Sequence, residues 1–90
     1  MTPEQKAIAR HMLGLPNKQR RSYRNRFCAG EGHSDYPILI AMQEQGYLTR
    51  VPAKRMSTVE DMWFLAPFAA RLALEPRETL CPEDFPNAVQ

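Results

Sequence analysis

Ninety residues support one domain with a small core, because a chain of this size buries only roughly 60 to 65% of its unfolded surface. A hydrophobic share of 43% and a charged share of 24%, with eight prolines against four glycines, exclude wholesale disorder and point to many fixed turns. The net charge of +2 hides an asymmetry: residues 1–58 carry ten Lys/Arg against four Asp/Glu, whereas residues 59–90 carry two against six.

The first element is marked on both sides. Thr2 is positioned to cap a helix, Pro3 fits the first helical position, and Gln5 stands where a capping box places Glu or Gln. Ile8, Met12 and Leu15 recur at helical spacing, and Gly14 followed by Pro16 ends the run, so a helix is predicted over residues 3–13. Residues 17–27 admit two readings. Asn17 could cap a helix that places Tyr23 and Phe27 on one face, but Ser22 and Asn25 weaken it, and an extended conformation for residues 23–28 is nearly as good. Residues 29–33 form a loop around Gly30 and Gly32.

A second helix is predicted over residues 35–45, capped by Ser34 or Asp35, with Pro37 in its first turn and Gly46 at its end. The apolar run 38–42 is also compatible with a buried strand, but the caps and the polar last turn favour helix. Residues 47–51 read as a strand, 52–59 as a loop, and 61–65 as the returning strand, with Trp63 and Leu65 on one face and Met62 and Phe64 on the other. Pro67 opens a short helix carrying Phe68, Leu72 and Leu74, which stops before Pro76. The division expected is a domain over residues 1–75 and a Pro-rich acidic tail over residues 76–90, anchored through Leu80 or Phe85. The fold class expected is mainly α with a small β-hairpin, an α+β domain in which helix, strand, loop, strand and helix follow the order of a winged helix-turn-helix.

Between Lys6 and Arg26 there are seven basic residues and no acidic one. Lys18, Arg20, Arg21, Arg24 and Arg26, interleaved with Tyr23 and Phe27, suit contact with phosphates, and Arg50, Lys54 and Arg55 on the wing-like loop would reach the same backbone. The bland alternative is a solvated basic surface. The helix before the wing carries no Lys or Arg, only Gln43 and Gln45 as base readers, and Asp35 and Glu44 to repel phosphate, so sequence readout there is disfavoured. Trp63, Phe64, Phe68, Tyr47 and Leu48 are better placed in a core than on a partner surface.

The remaining constellations lack the patterns of chemistry. Cys28, His33 and Asp35, with His11 or Cys81, have no structural-zinc spacing; free cysteines and a loop histidine account for them better, although a Cys28–Cys81 bridge stays open. His33-Ser34-Asp35 holds triad residue types without the geometry of one, and Gly30-Glu31-Gly32 lacks the longer pattern and the Lys of a phosphate loop. No catalytic residue, metal or cofactor is therefore expected. No apolar run approaches the roughly 20 residues of a membrane span, and residues 1–5 lack a signal peptide's basic region, so a cytoplasmic protein without membrane contact is expected.

The runs Tyr23-Arg24-Asn25-Arg26-Phe27, Gly30-Glu31-Gly32-His33-Ser34-Asp35-Tyr36-Pro37, Gly46-Tyr47-Leu48-Thr49-Arg50 and Trp63-Phe64-Leu65-Ala66-Pro67 together resemble small bacteriophage and prophage proteins over residues 10–74. Ala66-Pro67-Phe68-Ala69-Ala70 stands where winged helices commonly place a Thr and a Gly. The resemblance implies a phage or prophage origin and a location in the cytoplasm of a bacterial host, and assigns no activity to particular residues. The function expected is that of a phage accessory protein binding double-stranded DNA through backbone contacts rather than base readout; the alternative is a module that engages a host or phage protein.

Overall fold

A computed structural model describes residues 1–53 and 60–86. Helix α1 spans Pro3–Leu13, strand β1 Phe27–Cys28, helix α2 Tyr36–Glu44, strand β2 Leu48–Val51, strand β3 Met62–Leu65 and helix α3 Pro67–Leu72. The α+β mix is thus present, but the expected hairpin is one half of a three-stranded antiparallel sheet of order β1-β3-β2. Phe27 faces Trp63 across one ladder, and Arg50 faces Trp63 across the other. A two-residue strand carries almost no periodic signal, which is why β1 was legible only as an extended alternative.

The start of α1 is fixed locally. The Thr2 hydroxyl accepts the Gln5 N–H at 3.1 Å, and the Gln5 side chain returns the bond to the Thr2 N–H at 3.0 Å. Gly14 then takes φ 79° and turns the chain out of the helix, a left-handed conformation that costs a residue with a Cβ roughly 1–2 kcal/mol. Helix α2 is shorter than expected by about a residue at each end, within the usual fraying of helix boundaries. Asp35 occupies its N-cap position in a right-handed helical conformation, and its side chain makes no capping bond. The expected Ser34 or Asp35 side-chain cap is replaced by His33, whose Nδ1 accepts the Asp35 N–H at 3.0 Å.

The core forms where α1, α2 and α3 meet the sheet. Ile8, Ala9, Met12 and Leu13 from α1, Leu39 and Met42 from α2, and Ala69 and Ala70 from α3 are buried with Leu48, Trp63 and Leu65. Each fully buried Leu or Met side chain contributes about 1.5–3 kcal/mol relative to exposure. Alternation along β3 follows expectation: Trp63 and Leu65 are buried and Met62 and Phe64 half-buried. In α3 the buried face is made by alanines, whereas Phe68 and Leu72, read from sequence as its apolar face, are 45% and 54% exposed. Small side chains let this helix lie close to α1. Leu80 and Phe85 also enter the core, so the segment after Pro76 is packed down at both of the residues expected to anchor it.

Residues 17–20 form a turn closed by the Arg20 N–H on the Asn17 carbonyl at 3.2 Å, and the segment 21–26 runs extended rather than helical. Its N–H groups bond elsewhere: Ser22 to the Thr79 carbonyl at 2.9 Å, Tyr23 to Leu13 at 3.1 Å and Arg26 to Met12 at 3.3 Å. Thr79 N–H returns a bond to the Arg20 carbonyl at 2.9 Å, making a parallel bridge between Arg21 and Thr79. Asn17 caps no helix; its amide donates to the Gly14 and Arg21 carbonyls at 3.0 and 2.8 Å. Asn25 extends the β1–β3 ladder through its side chain, accepting the Leu65 N–H at 2.8 Å and donating to the Leu65 carbonyl at 3.1 Å.

Candidate nucleic-acid interface

The basic residues fall into two groups according to what neutralises them. Lys6 lies 3.1 Å from a Glu75 carboxylate oxygen. Arg10 makes a bidentate pair with Glu78, with Nη2 donating to Oε2 at 2.8 Å, and its Nη1 also donates to the Ala73 carbonyl at 2.9 Å. The hydrogen bond from Arg10 holds the Glu78 carboxyl below the usual glutamate range against the opposing effect of burial, and the same bond raises the Arg10 guanidinium. Glu75 and Glu78 are thus spent on α1 rather than on the basic arm.

Arg50 belongs to the paired group as well. It follows Leu48 by two residues and therefore points to the same, inner face of the sheet, with its guanidinium 5.6 Å from the Trp63 ring centroid. Its Nε lies 2.8 Å from Asp61 Oδ2, an ion pair without a directed hydrogen bond. Asp61 is buried, and its other oxygen accepts the Ala53 N–H at 2.8 Å, so this carboxylate joins both ends of the β2–β3 connection. Lys54 and Arg55, expected on that connection, lie outside the described residues.

The arm differs. Lys18, Arg20, Arg21 and Arg26 are exposed, and none has a carboxylate partner among the described residues. Arg24 is engaged otherwise: Nε and Nη2 donate to the His11 carbonyl at 3.2 and 2.7 Å, covering the C-terminal end of α1, where a cation is favoured by the helix dipole. Arg20 has φ 55°, and Arg77 has φ 71°. These are the two non-glycine residues with positive φ among the described ones, and they stand just before the two members of the Arg21–Thr79 bridge and its bonds.

The bridge brings up cations that the linear charge count hides. Arg71, from the last turn of α3, lines a groove of about 410 Å³ with Arg21, and the floor between them is Leu74, Leu80 and Pro82. Glu78 also lines it, with its carboxylate turned onto Arg10. Neither Arg71 nor Arg77 has a carboxylate partner among the described residues. Residues 59–90 read as acidic by sequence, yet their two arginines lie beside the arm or along the segment bridged to it; no local signal could have shown this.

Other candidates are resolved by geometry. Phe27 is flanked edge-on by His11 and His33, each with its ring centroid 5.5 Å away. Among the described residues no group of three or more His, Cys, Asp or Glu could hold a metal ion. Cys28 and Cys81 are free thiols, the Cys28 Sγ lying 3.0 Å from Met62 Sδ. Helix α2 contains no basic residue, and no helix among the described residues is long and apolar enough to cross a membrane. Comparison of the chain with protein-family models, with curated proteins and with solved structures gives no match.

Proposed function

We propose that this chain is a small nucleic-acid-associated protein that works by binding rather than catalysis, gripping the phosphate backbone through Lys18, Arg20, Arg21 and Arg26. The observation that carries this reading is the pattern of neutralisation: Lys6, Arg10 and Arg50 each have a carboxylate partner, whereas the arm's exposed cations have none among the described residues. Phosphate contacts of this kind fix a protein on a nucleic acid without reading its sequence, which agrees with an α2 that has no cation. Backbone strain supports the same site, since non-glycine residues in the left-handed region cost about 1–3 kcal/mol each and tend to cluster where function requires them. The order helix, strand, helix, strand, strand and helix, with β2 and β3 paired antiparallel, supports the winged-helix-like reading of the scaffold. With the resemblance to phage and prophage proteins, it makes an accessory role on a phage genome the reading adopted.

Titration of fluorescein-labelled DNA at about 50 mM salt tests the proposal, because each cation that meets a phosphate is worth roughly tenfold in affinity under those conditions. Arg20→Gln/Arg21→Gln should weaken binding by about two orders of magnitude, and absence of binding by the wild-type chain would end the proposal.

A second reading, contact with a host or phage protein, is favoured by one observation. Phe68 and Leu72 stand one turn apart and exposed on α3, with the Tyr47 ring 5.8 Å from Phe68. A partner captured from nuclease-treated host lysate by wild type, and lost with Phe68→Lys/Leu72→Lys, would favour it.

A further inference from the structure

We infer that the nucleic acid held by the arm is single-stranded, with Tyr23 acting as the platform on which an unpaired base stacks. The inference rests on the phosphate-binding reading above and names the form of its partner. Tyr23 is 62% exposed, more than any other large hydrophobic side chain described. An unengaged tyrosine so exposed would be unremarkable, but this one is fixed in place.

Three contacts fix it. The Tyr23 N–H is bonded to the Leu13 carbonyl, and the preceding Ser22 is buried, its hydroxyl accepting the Cys81 N–H at 2.8 Å. The ring itself occupies the space beside Gly14 that a side chain would fill: a Cβ there would fall 2.2 Å from Tyr23 Cε1. Finally, the Arg24 guanidinium, itself tied to the end of α1, is 5.3 Å from the ring centroid. Gly14 therefore serves twice, turning the chain out of α1 and giving the ring a seat.

The surroundings suit a strand rather than a duplex. The ring lines a groove of about 420 Å³ together with Asn17, Gln19 and Arg21. Glu83 lies at the same groove and opposes phosphate there, so the phosphates are assigned to Lys18, Arg20, Arg21 and Arg26 along the arm. Arg21 also rims the adjoining groove whose floor is Leu74, Leu80 and Pro82, which continues the track past the ring. A charged track with an interposed aromatic is the arrangement by which proteins hold single strands, because every unpaired base offers a π-face. In a duplex those faces are taken up by neighbouring base pairs, and the ring would gain nothing.

Anisotropy titrations with fluorescein-labelled oligo-dT of about 15 nucleotides and with a mixed-sequence duplex of equal length test this. The wild-type chain should prefer the single strand. Tyr23→Phe should keep that preference, and Tyr23→Leu, confirmed folded by circular dichroism, should weaken oligo-dT binding by about 5- to 100-fold while changing duplex binding less than about twofold. If Tyr23→Leu does not fold, Tyr23→Trp supplies the same test: its indole fluorescence should be quenched by oligo-dT and not by duplex, against the constant background of buried Trp63. Equal binding of both forms, or a Tyr23→Leu variant that binds oligo-dT like wild type, overturns the inference and leaves the phosphate contacts standing. Failure of the wild-type chain to bind either form removes the proposed function itself.

Discussion

Replacing Glu78 by Ala should both destabilise the fold and loosen the arm. The carboxylate is only 7% exposed and the Arg10 side chain 15%, so the substitution leaves a largely buried guanidinium with the Ala73 carbonyl as its one remaining partner among the described residues. Glu78 also accepts the Glu75 N–H at 2.7 Å, and that donor would lose its acceptor too. Breaking a buried pair from one side costs about 3–5 kcal/mol, a large part of the roughly 5–15 kcal/mol expected of a small domain. With a urea slope of about 1–3 kcal/mol per M, the unfolding midpoint followed by circular dichroism should fall by about 1–5 M.

Glu78→Gln keeps an acceptor for one Arg10 bond and for the Glu75 N–H, and should cost less, about 1–3 kcal/mol. Acid adds a second signature. A carboxyl whose folded pKa lies below its unfolded value contributes stability that is complete above the usual glutamate range, about pH 4.3, and is lost as pH falls from there through the folded value. Wild type should therefore lose this contribution below about pH 4.3, and Glu78→Gln should lack that part of the loss. Because Thr79 follows Glu78 and holds Arg20 and Ser22, the same variants should weaken nucleic-acid binding. A Glu78→Ala midpoint within about 0.5 M of wild type would refute the assignment of this pair as the bond between α1 and the chain that supports the arm.

Gly14→Ala, forced into the left-handed region and into the Tyr23 ring, should lower the melting temperature by at least about 4–8 °C per kcal/mol lost, read by thermal circular dichroism. Arg20→Gly should do the reverse for stability, raising it by up to about 1 kcal/mol in urea titration through relief of the φ 55° strain, while weakening binding in the anisotropy assay. Asn25→Ala removes both side-chain bonds to Leu65 and should cost about 1–3 kcal/mol in the same urea titration. Phe68→Lys/Leu72→Lys should leave the melting curve within about 0.5 kcal/mol of wild type, because both side chains are exposed.

Those variants also mark where the sequence was legible. Helix α1 was plain because its determinants are local: Thr2 and Gln5 cap each other, and Gly14 ends the run within the same few residues. Alternation placed Trp63 and Leu65 correctly for the same reason. Segment 17–26 could not be settled, since beyond the local Asn17–Arg20 turn its backbone bonds go to Met12, Leu13 and Thr79, two on another element and one near the far end of the chain. In α3 the large apolar residues drew the face, whereas the alanines fill the close space against α1.

For the proposed site the sequence displays where cations are dense but not which of them are already paired. Charge density alone could not separate Arg24, which closes α1, or Arg50, which pairs with Asp61 under Trp63, from the arm residues left without carboxylates. Nor could it bring Arg71 to Arg21, a meeting made by the Arg21–Thr79 bridge and the packing of α3. Lys18, Arg20, Arg21 and Arg26 are thus left without a carboxylate among the described residues, and Arg71 is brought beside Arg21.

The most direct test is the dependence of binding on salt. If Lys18, Arg20, Arg21 and Arg26 each meet a phosphate, a plot of log K against log salt for oligo-dT should have a slope near about −2.8, and Arg20→Gln/Arg21→Gln should reduce it to about −1.4. Lys6→Gln, which removes a cation already paired with Glu75, should leave the slope unchanged. A slope near zero for wild type, or one that Lys6→Gln lowers as much as the arm substitutions do, would contradict the account.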